Sequence, residues 1–408
     1  MNTLCKLQWT GLTTDTNGDI KPCCISRTYI KKDDGTNFNL GTDTVEEIYN
    51  SKSMVDMRQQ MLDGVEVAGC EQCYETEKFS ERSNRLVYNK IYEDIKAEDA
   101  QTDPTVKFID LRFGNLCNLS CRSCHPKASS QLQREIEVMP PAIKKYQNFF
   151  QEDINSWYQT PVFKDNLEKQ LDSVDMISLT GGEPTIIQQN MELLASLVSS
   201  GRSKNIVLAI NSNMTNTNPK FYNLIKEFKY VVFMASIDGV GSMQEYLRYP
   251  SKWETMDANI KKLLDLGDNI SVAPTPVIQT TNLNKCVELF EYFESYNREA
   301  KRRLIRIQPI NLTGPEHLNL LYLPSEFKMK CWEKIQQWVD TKCEYQPDSF
   351  HEIINGIKAK CNTQVDEAES KHQLSNYKEF NSLFDSHRKV KLSDINPELD
   401  MEINKILA

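Results

Sequence analysis

Phe108-Ile109-Asp110-Leu111-Arg112-Phe113-Gly114-Asn115-Leu116-Cys117-Asn118-Leu119-Ser120-Cys121-Arg122-Ser123-Cys124 joins a short apolar run to three cysteines. The apolar run has the composition of a strand, and Gly114-Asn115 supplies the turn that ends it. The strand therefore delivers Cys117, Cys121 and Cys124 to one loop at the carboxyl end of a sheet, the end at which α/β folds build their sites. The spacing is C-x3-C-x2-C. Three thiolates on a short loop can hold three irons of a cubane cluster and leave the fourth iron open to a substrate. The same residues also admit a zinc site completed by His125.

Outward from this loop, apolar runs alternate with amphipathic stretches over residues 108 to 310. Strands are expected at 108–113, Met176–Leu179, 206–210, 231–236, Ile270–Pro274 and 304–307, with crossover helices between them. The apolar positions Leu193, Leu194, Leu197 and Val198 mark one such helix. The pattern predicts repeated βα units around a parallel sheet.

Thr180-Gly181-Gly182-Glu183-Pro184 follows the second expected strand. Glycines there allow a close approach to the backbone, and a carboxylate can accept hydrogen bonds from an amine. One βα unit after the cysteine loop, this turn becomes a specific signal. The combination resembles the radical S-adenosylmethionine (radical SAM) superfamily over about residues 106 to 310. The resemblance implies an α/β fold, a partial (β/α)6 barrel, with the open iron taking the amino and carboxylate groups of SAM. It also implies that Gly181, Gly182 and Glu183 contact the methionine amine, and that reductive cleavage of SAM gives a 5'-deoxyadenosyl radical that abstracts a substrate hydrogen.

Later strand ends extend the resemblance. Asn211-Ser212-Asn213 is similar to the family's ribose-contacting segment, and Ser236-Ile237-Asp238-Gly239 to its Ser-x-Asp-Gly segment. Arg248 resembles the arginine that pairs with the SAM carboxylate, a role suited to its planar fork. Val277 and Gln279 are expected to flank the adenine. Ser123 stands where the family usually has an aromatic residue over the adenine, so another group must cover it. No catalytic side chain is expected beyond the cluster.

The first 75 residues hold Cys5, Cys23, Cys70 and Cys73, with Cys24 beside Cys23. Four thiolates can saturate one zinc ion or one iron-sulfur cluster. Asn17-Gly18-Asp19-Ile20-Lys21-Pro22-Cys23, then Leu40-Gly41, Val45-Glu46-Glu47-Ile48-Tyr49, Met57-Arg58 and Cys70-x2-Cys73, resembles the SPASM/twitch module of many radical SAM enzymes. That resemblance implies an auxiliary 4Fe-4S cluster ligated by Cys5, Cys23, Cys70 and Cys73. One clear set of four cysteines fits the shorter twitch form, and the glycine-based spacing selects Cys23 over Cys24. The module usually follows the barrel, whereas here it precedes it. Cys286, Cys331, Cys343 and Cys361 are expected to be buried structural thiols in helices.

The expected organisation is a twitch-like module at 1–80, a helical linker at 81–104, the partial barrel at 105–315 and a helical C-terminal extension at 316–408. Hydrophobic residues make up 39% of the 408-residue chain and charged residues 26%, which fits a globular protein. A net charge of -9 gives no long-range attraction for a phosphate backbone, so nucleic acid is not expected as a partner. The basic run at Lys301, Arg302, Arg303 and Arg306 is expected to be a solvated helix end. No apolar stretch reaches the roughly 20 residues of a membrane span, and the start lacks a signal-peptide core. Twelve cysteines without an export signal point to the cytoplasm.

The expected function is radical hydrogen abstraction that oxidises or cross-links a peptidyl substrate, with a flavodoxin or ferredoxin as one-electron donor. A dehydrogenase of a small-molecule metabolite and a non-catalytic, zinc-stapled binding protein are the alternatives.

Overall fold

The computed structural model describes residues 3–78, 83–147, 156–216, 218–312 and 314–408. The expected boundary between residues 80 and 81 lies outside them. The fold is mixed α/β, with a mainly parallel seven-stranded sheet and a helical extension. Nine strands occur among the described residues: β1 (Gly11–Thr14), β2 (Ile20–Lys21), β3 (Phe108–Leu111), β4 (Met176–Leu179), β5 (Val207–Ser212), β6 (Tyr230–Ala235), β7 (Ile270–Pro274), β8 (Val277–Ile278) and β9 (Ile310–Asn311). The seven-stranded sheet runs β2-β1-β3-β4-β5-β6-β7, and β8 and β9 pair separately. Five expected strands thus form within a residue or two of their predicted limits. The sixth, at 304–307, contributes only a single bridge from Ile305 to Val272.

Compact packing divides the chain into two units. The first comprises residues 1–116, 151–211 and 218–232. In it β1 pairs parallel to β3, with Gly11 opposite Phe108 and Thr13 opposite Asp110, and antiparallel to β2. The N-terminal segment therefore supplies strands to the main sheet, a pairing that no local pattern announced. Every residue of β3 is buried, as are the last three of β4, as expected for parallel strands covered on both faces. β5 alternates buried with partly exposed positions, Leu208, Ile210 and Ser212 facing inward.

The segment 44–62 holds two helices. Thr44 caps the first, Val45–Tyr49, in a reciprocal box with Glu47, and Ser51 caps the second, Lys52–Leu62. Asn50 and Ser51 break the run because a new N-cap outcompetes helix continuation there.

The second unit comprises residues 117–150, 212–217 and 233–408. It contains the helices Cys286–Ala300, Ser325–Lys342, Asp348–Asn362, Glu367–Arg388 and Pro397–Leu407. Cys286, Cys331 and Cys361 are buried in these helices, whereas Cys343 is only half-buried, because it sits just past the end of Ser325–Lys342 in extended backbone. The helix Glu367–Arg388 starts at Asp366, whose side chain accepts from the backbone N–H groups of Ala368 and Glu369. It ends at Lys389, in the left-handed region at φ 56°. The helix Cys286–Ala300 ends at Lys301, also left-handed, so the basic run does begin at a helix end, and Arg302 and Arg303 are exposed. No helix among the described residues is long and apolar enough to cross a membrane.

Candidate functional site

In the second unit, the loop of Cys117, Cys121 and Cys124 is fixed by backbone hydrogen bonds on both sides of its central cysteine. Ser120 N–H donates to Tyr249 O at 2.6 Å and Arg122 N–H to Leu247 O at 2.9 Å. Ser129 caps the following helix, Ser130–Val138, and its hydroxyl donates to Leu119 O at 2.7 Å. Gln147 Nε2 donates to Cys124 O at 3.1 Å. Cys117 and Cys121 are buried and pack with Leu119, with Cys124 against them. Burial, only partly offset by Arg248, pushes the Cys121 thiol up to about 11. Burial and then Cys121 push Cys124 up to about 12.

Arg248 is directed at a sulfur of this loop. Its Nη1 lies 3.9 Å from Cys121 Sγ, while Nε and Nη2 donate to Asp238 Oδ2 and Oδ1 at 2.8 and 3.1 Å. Burial disfavours the charged guanidinium, but Asp238 and then Cys121 outweigh it, so its pKa is raised. Asp238 is itself fixed. Its N–H donates to Gln244 Oε1 at 2.7 Å, Oδ1 accepts from Val277 N–H at 2.8 Å, and its carbonyl accepts from Asn282 Nδ2 at 2.9 Å. Asp238 thus orients the arginine, and Val277 meets that carboxylate through its backbone.

Asn213 Nδ2 donates to Asn118 Oδ1 at 2.8 Å, and Asn118 Nδ2 donates to Thr215 Oγ1 at 2.8 Å, joining the cysteine loop to the chain after β5. Ser236 N–H donates to Ser212 O at 2.8 Å, and Ser236 O accepts from Gln244 Nε2 at 3.2 Å. Gln279 is fully buried, and neither its carboxamide oxygen nor its nitrogen has a partner. A buried amide in that state asks for a ligand or a water.

The first unit holds the Gly-Gly-Glu turn. Gly181 and Gly182 have φ of 80° and 56°. A Cβ on Gly182 would meet Leu116 O at 2.2 Å, and one on Gly181 would meet Gly114 O and Arg112 Cβ at 3.0 Å. Glycine is therefore required by the protein's own backbone crossing. Glu183 is buried, its N–H donates to Leu116 O at 2.8 Å, and its Oε1 accepts from Thr185 N–H and Oγ1 at 3.2 and 2.5 Å. Asp110 on β3 accepts from Thr180 Oγ1 at 2.7 Å, tying the ends of β3 and β4 together. Asn211 lies near the end of β5 at a partly exposed position.

The same unit brings the N-terminal cysteines together. Cys5, Cys23 and Cys73 are buried and Cys70 is half-buried. Burial and then Cys23, followed by Cys73, push the Cys70 thiol up to about 12, and Cys5 is raised by burial and by Cys23, Cys70 and Cys73. Cys24 faces elsewhere: its Sγ accepts from Asn84 Nδ2 at 3.4 Å and its carbonyl from Arg112 Nη2 at 3.0 Å. Among the described residues, no group of three His, Cys, Asp or Glu side chains is close enough to hold a single metal ion.

Residues 111–293 match the Radical SAM superfamily, and residues 5–74 match SPASM, an iron-sulfur cluster-binding domain. The chain is a radical SAM protein with an SPASM module. Its fold also gives matches among solved structures. SuiB of Streptococcus suis is 15% identical at a TM-score of 0.37, over 59% of this chain and 48% of that one. The structure of anSMEcpe with bound AdoMet is 12% identical at 0.38, over 57% and 58%. TsrM of Kitasatospora setae, a radical S-adenosylmethionine methyltransferase, is 11% identical at 0.32, over 69% and 60%. The radical SAM protein thus spans about half of the SuiB chain and under two thirds of the other two. The comparison with curated proteins gave no match.

Sequence reasoning missed Gln244, which receives the backbone of Asp238 and Gly239, because a buried glutamine carries no motif. It also missed Arg122 and its partners on the C-terminal helices. The arginine was visible inside the cysteine motif, but its partner Asp385 lies too far along the chain to give a local signal.

Proposed function

We propose that this radical SAM protein cleaves SAM reductively and abstracts hydrogen from a peptidyl substrate, oxidising or cross-linking an unactivated C–H bond. The observation that carries the reading is the guanidinium of Arg248, held by Asp238 and directed at Cys121 in a loop of three clustered thiols. That donor set fits a three-ligand cluster: it offers three sulfurs on one loop and a buried cation to offset thiolate charge. When bound, a 4Fe-4S cluster on Cys117, Cys121 and Cys124 would pass one electron to SAM, giving methionine and the 5'-deoxyadenosyl radical.

The chain's own residues bind and orient. With Nε and Nη2 turned to Asp238, Arg248 would meet the SAM carboxylate through Nη1. Glu183, held by Thr185 on the rigid Gly181-Gly182 turn, would accept from the methionine amine. Asn211, Asn213 and Ser236 would serve the ribose, and Val277 and Gln279 the adenine, where Gln279 has two unpartnered amide atoms to offer. Cys5, Cys23, Cys70 and Cys73 would ligate an auxiliary 4Fe-4S cluster, the electrostatic influence of Cys23, and not of Cys24, on Cys5, Cys70 and Cys73 being the support for the set. Four thiolates leave no open iron, which suits electron transfer with a flavodoxin or ferredoxin in the cytoplasm.

The support for a peptide is the C-terminal helical surface, where an open groove of about 570 Å³ is lined by Tyr377, Asn381, Asp385, Leu392 and Ile403 among others. The test is anaerobic incubation with SAM and cell extract split at a small-peptide size limit, following 5'-deoxyadenosine by mass spectrometry. Stimulation by protease-sensitive material is expected. Stimulation confined to a protease-resistant, low-mass fraction would replace the peptide with a metabolite. Absence of 5'-deoxyadenosine from the reconstituted, reduced protein would remove the radical reading itself.

A further inference from the structure

The C-terminal helix Glu367–Arg388 reaches the residues on both sides of Cys121. Arg122, 1% exposed, sits between Cys121 and Cys124 with its guanidinium 3.8 Å from the Tyr246 ring centre. Its Nη2 donates to Asp385 Oδ1 at 2.6 Å, Nη1 to Asn381 Oδ1 at 2.9 Å, and Nε to Tyr246 O at 3.1 Å. Arg388, on the last turn of the same helix, donates through Nη2 to Ser120 O at 2.6 Å. It also forms a bidentate pair with Glu135 at 2.8 and 2.7 Å, on the helix that begins just after the loop. Two buried arginines therefore bind the helix to residues 120 and 122, the immediate neighbours of Cys121.

We propose that the helix Glu367–Arg388 is the positioning element of the cysteine loop, with Asp385 and Asn381 acting through Arg122. The proposal rests on the reading of that loop as the cluster site. Residues 247–249 also hold the loop, through Leu247 O and Tyr249 O, and the same segment carries Arg248 to Cys121. The loop is thus held by two elements, and displacing one changes the approach of Arg248 to the sulfur. Removing Asp385 leaves Arg122 buried without its anion, a state relieved only by movement or hydration of the loop.

The test uses the full chain, reconstituted with iron and sulfide, and compares Asp385→Ala with Glu379→Gln, an exposed position on the same helix that contacts Lys145 and Tyr146. Iron content, the electron paramagnetic resonance of the reduced loop cluster with and without SAM, and SAM affinity are read together. Outer partners of metal ligands commonly change affinity by 10-fold or more, so the SAM Kd of Asp385→Ala should rise about tenfold, with Asp385→Glu recovering much of it. The SAM-induced spectral change should alter in Asp385→Ala and remain parental in Glu379→Gln. Loss of iron from a variant with parental far-ultraviolet circular dichroism counts for the proposal as well. If Asp385→Ala does not fold, Arg122→Gln, which removes the cation and its need for an anion together, carries the same readouts. A folded variant with a lowered Tm but parental spectrum and SAM Kd would reduce the helix to a cap and overturn the proposal. A parent chain that takes up no loop cluster would instead overturn the reading beneath it.

Discussion

The two cysteine sets of this radical SAM protein are built in opposite ways. Cys117, Cys121 and Cys124 lie within eight residues of sequence, so a single turn after β3 brings them together, and the rest of the unit only has to hold that turn. Cys5, Cys23, Cys70 and Cys73 are spread along the first unit, with β1, β2 and several helices between them in sequence, so that only packing of those elements could bring them to one site. The local set depends on what surrounds it for orientation, whereas the distributed set depends on the fold for its existence. A short-range ligand set tolerates remodelling of distant chain, and a long-range one couples its metal to folding.

Replacing Cys117, Cys121 and Cys124 together by alanine gives the largest expected effect, complete loss of 5'-deoxyadenosine formation from SAM and dithionite. Product at the parental rate would dissolve the distinction between the two sets. Cys70→Ala with Cys73→Ala tests the other side. Two cubane clusters hold about eight irons, so this variant should retain about four and still cleave SAM. An unchanged iron count would remove these residues from the ligand set.

The backbone crossing at Leu116, the residue before the local set in sequence, is tested by Gly182→Ala. Its φ of 56° and a Cβ contact of 2.2 Å with Leu116 O place the substitution among strained ones. Left-handed backbone alone costs roughly 1–2 kcal/mol, so denaturant titration should show at least that loss. Stability equal to the parent would mean that the turn can relax away from Leu116. The smallest effect is expected from Cys24→Ala, which should keep the full iron content, whereas Cys23→Ala should lose the auxiliary share. Equal losses from the two would show that the pair shares one ligand position.

Much of this contrast was legible in the sequence. The strand ahead of Cys117, the glycine turn after β4 and the strands β5 to β7 all carry local signals, in apolar runs, glycine pairs and spacing. What escaped notice depends on contacts far apart in sequence. Thr13 opposite Asp110 gives β1 its place in the sheet, yet neither residue predicts the other. The strand expected at 304–307 shrank to one bridge because Asn297 and Gln346 side chains take up the N–H groups of Leu304, Ile305 and Ile307. Cys286, Cys331 and Cys361, distant in sequence, are each buried, and burial followed by Cys361 pushes Cys331 up to about 12, as suits thiols that stay protonated in a helical core.

The pairing of β1 with β3 also bears on how the protein is made. Synthesis delivers residues 5 to 73 well before Phe108, yet β1 has no parallel neighbour until β3 has left the ribosome. The nascent N-terminal segment therefore waits with an open strand edge, and a long loop must close before the pairing stabilises it. During that interval Cys5, Cys23, Cys24, Cys70 and Cys73, buried or half-buried in the finished unit, are open to solvent. Completion of β3 thus sets the moment at which that exposure begins to narrow.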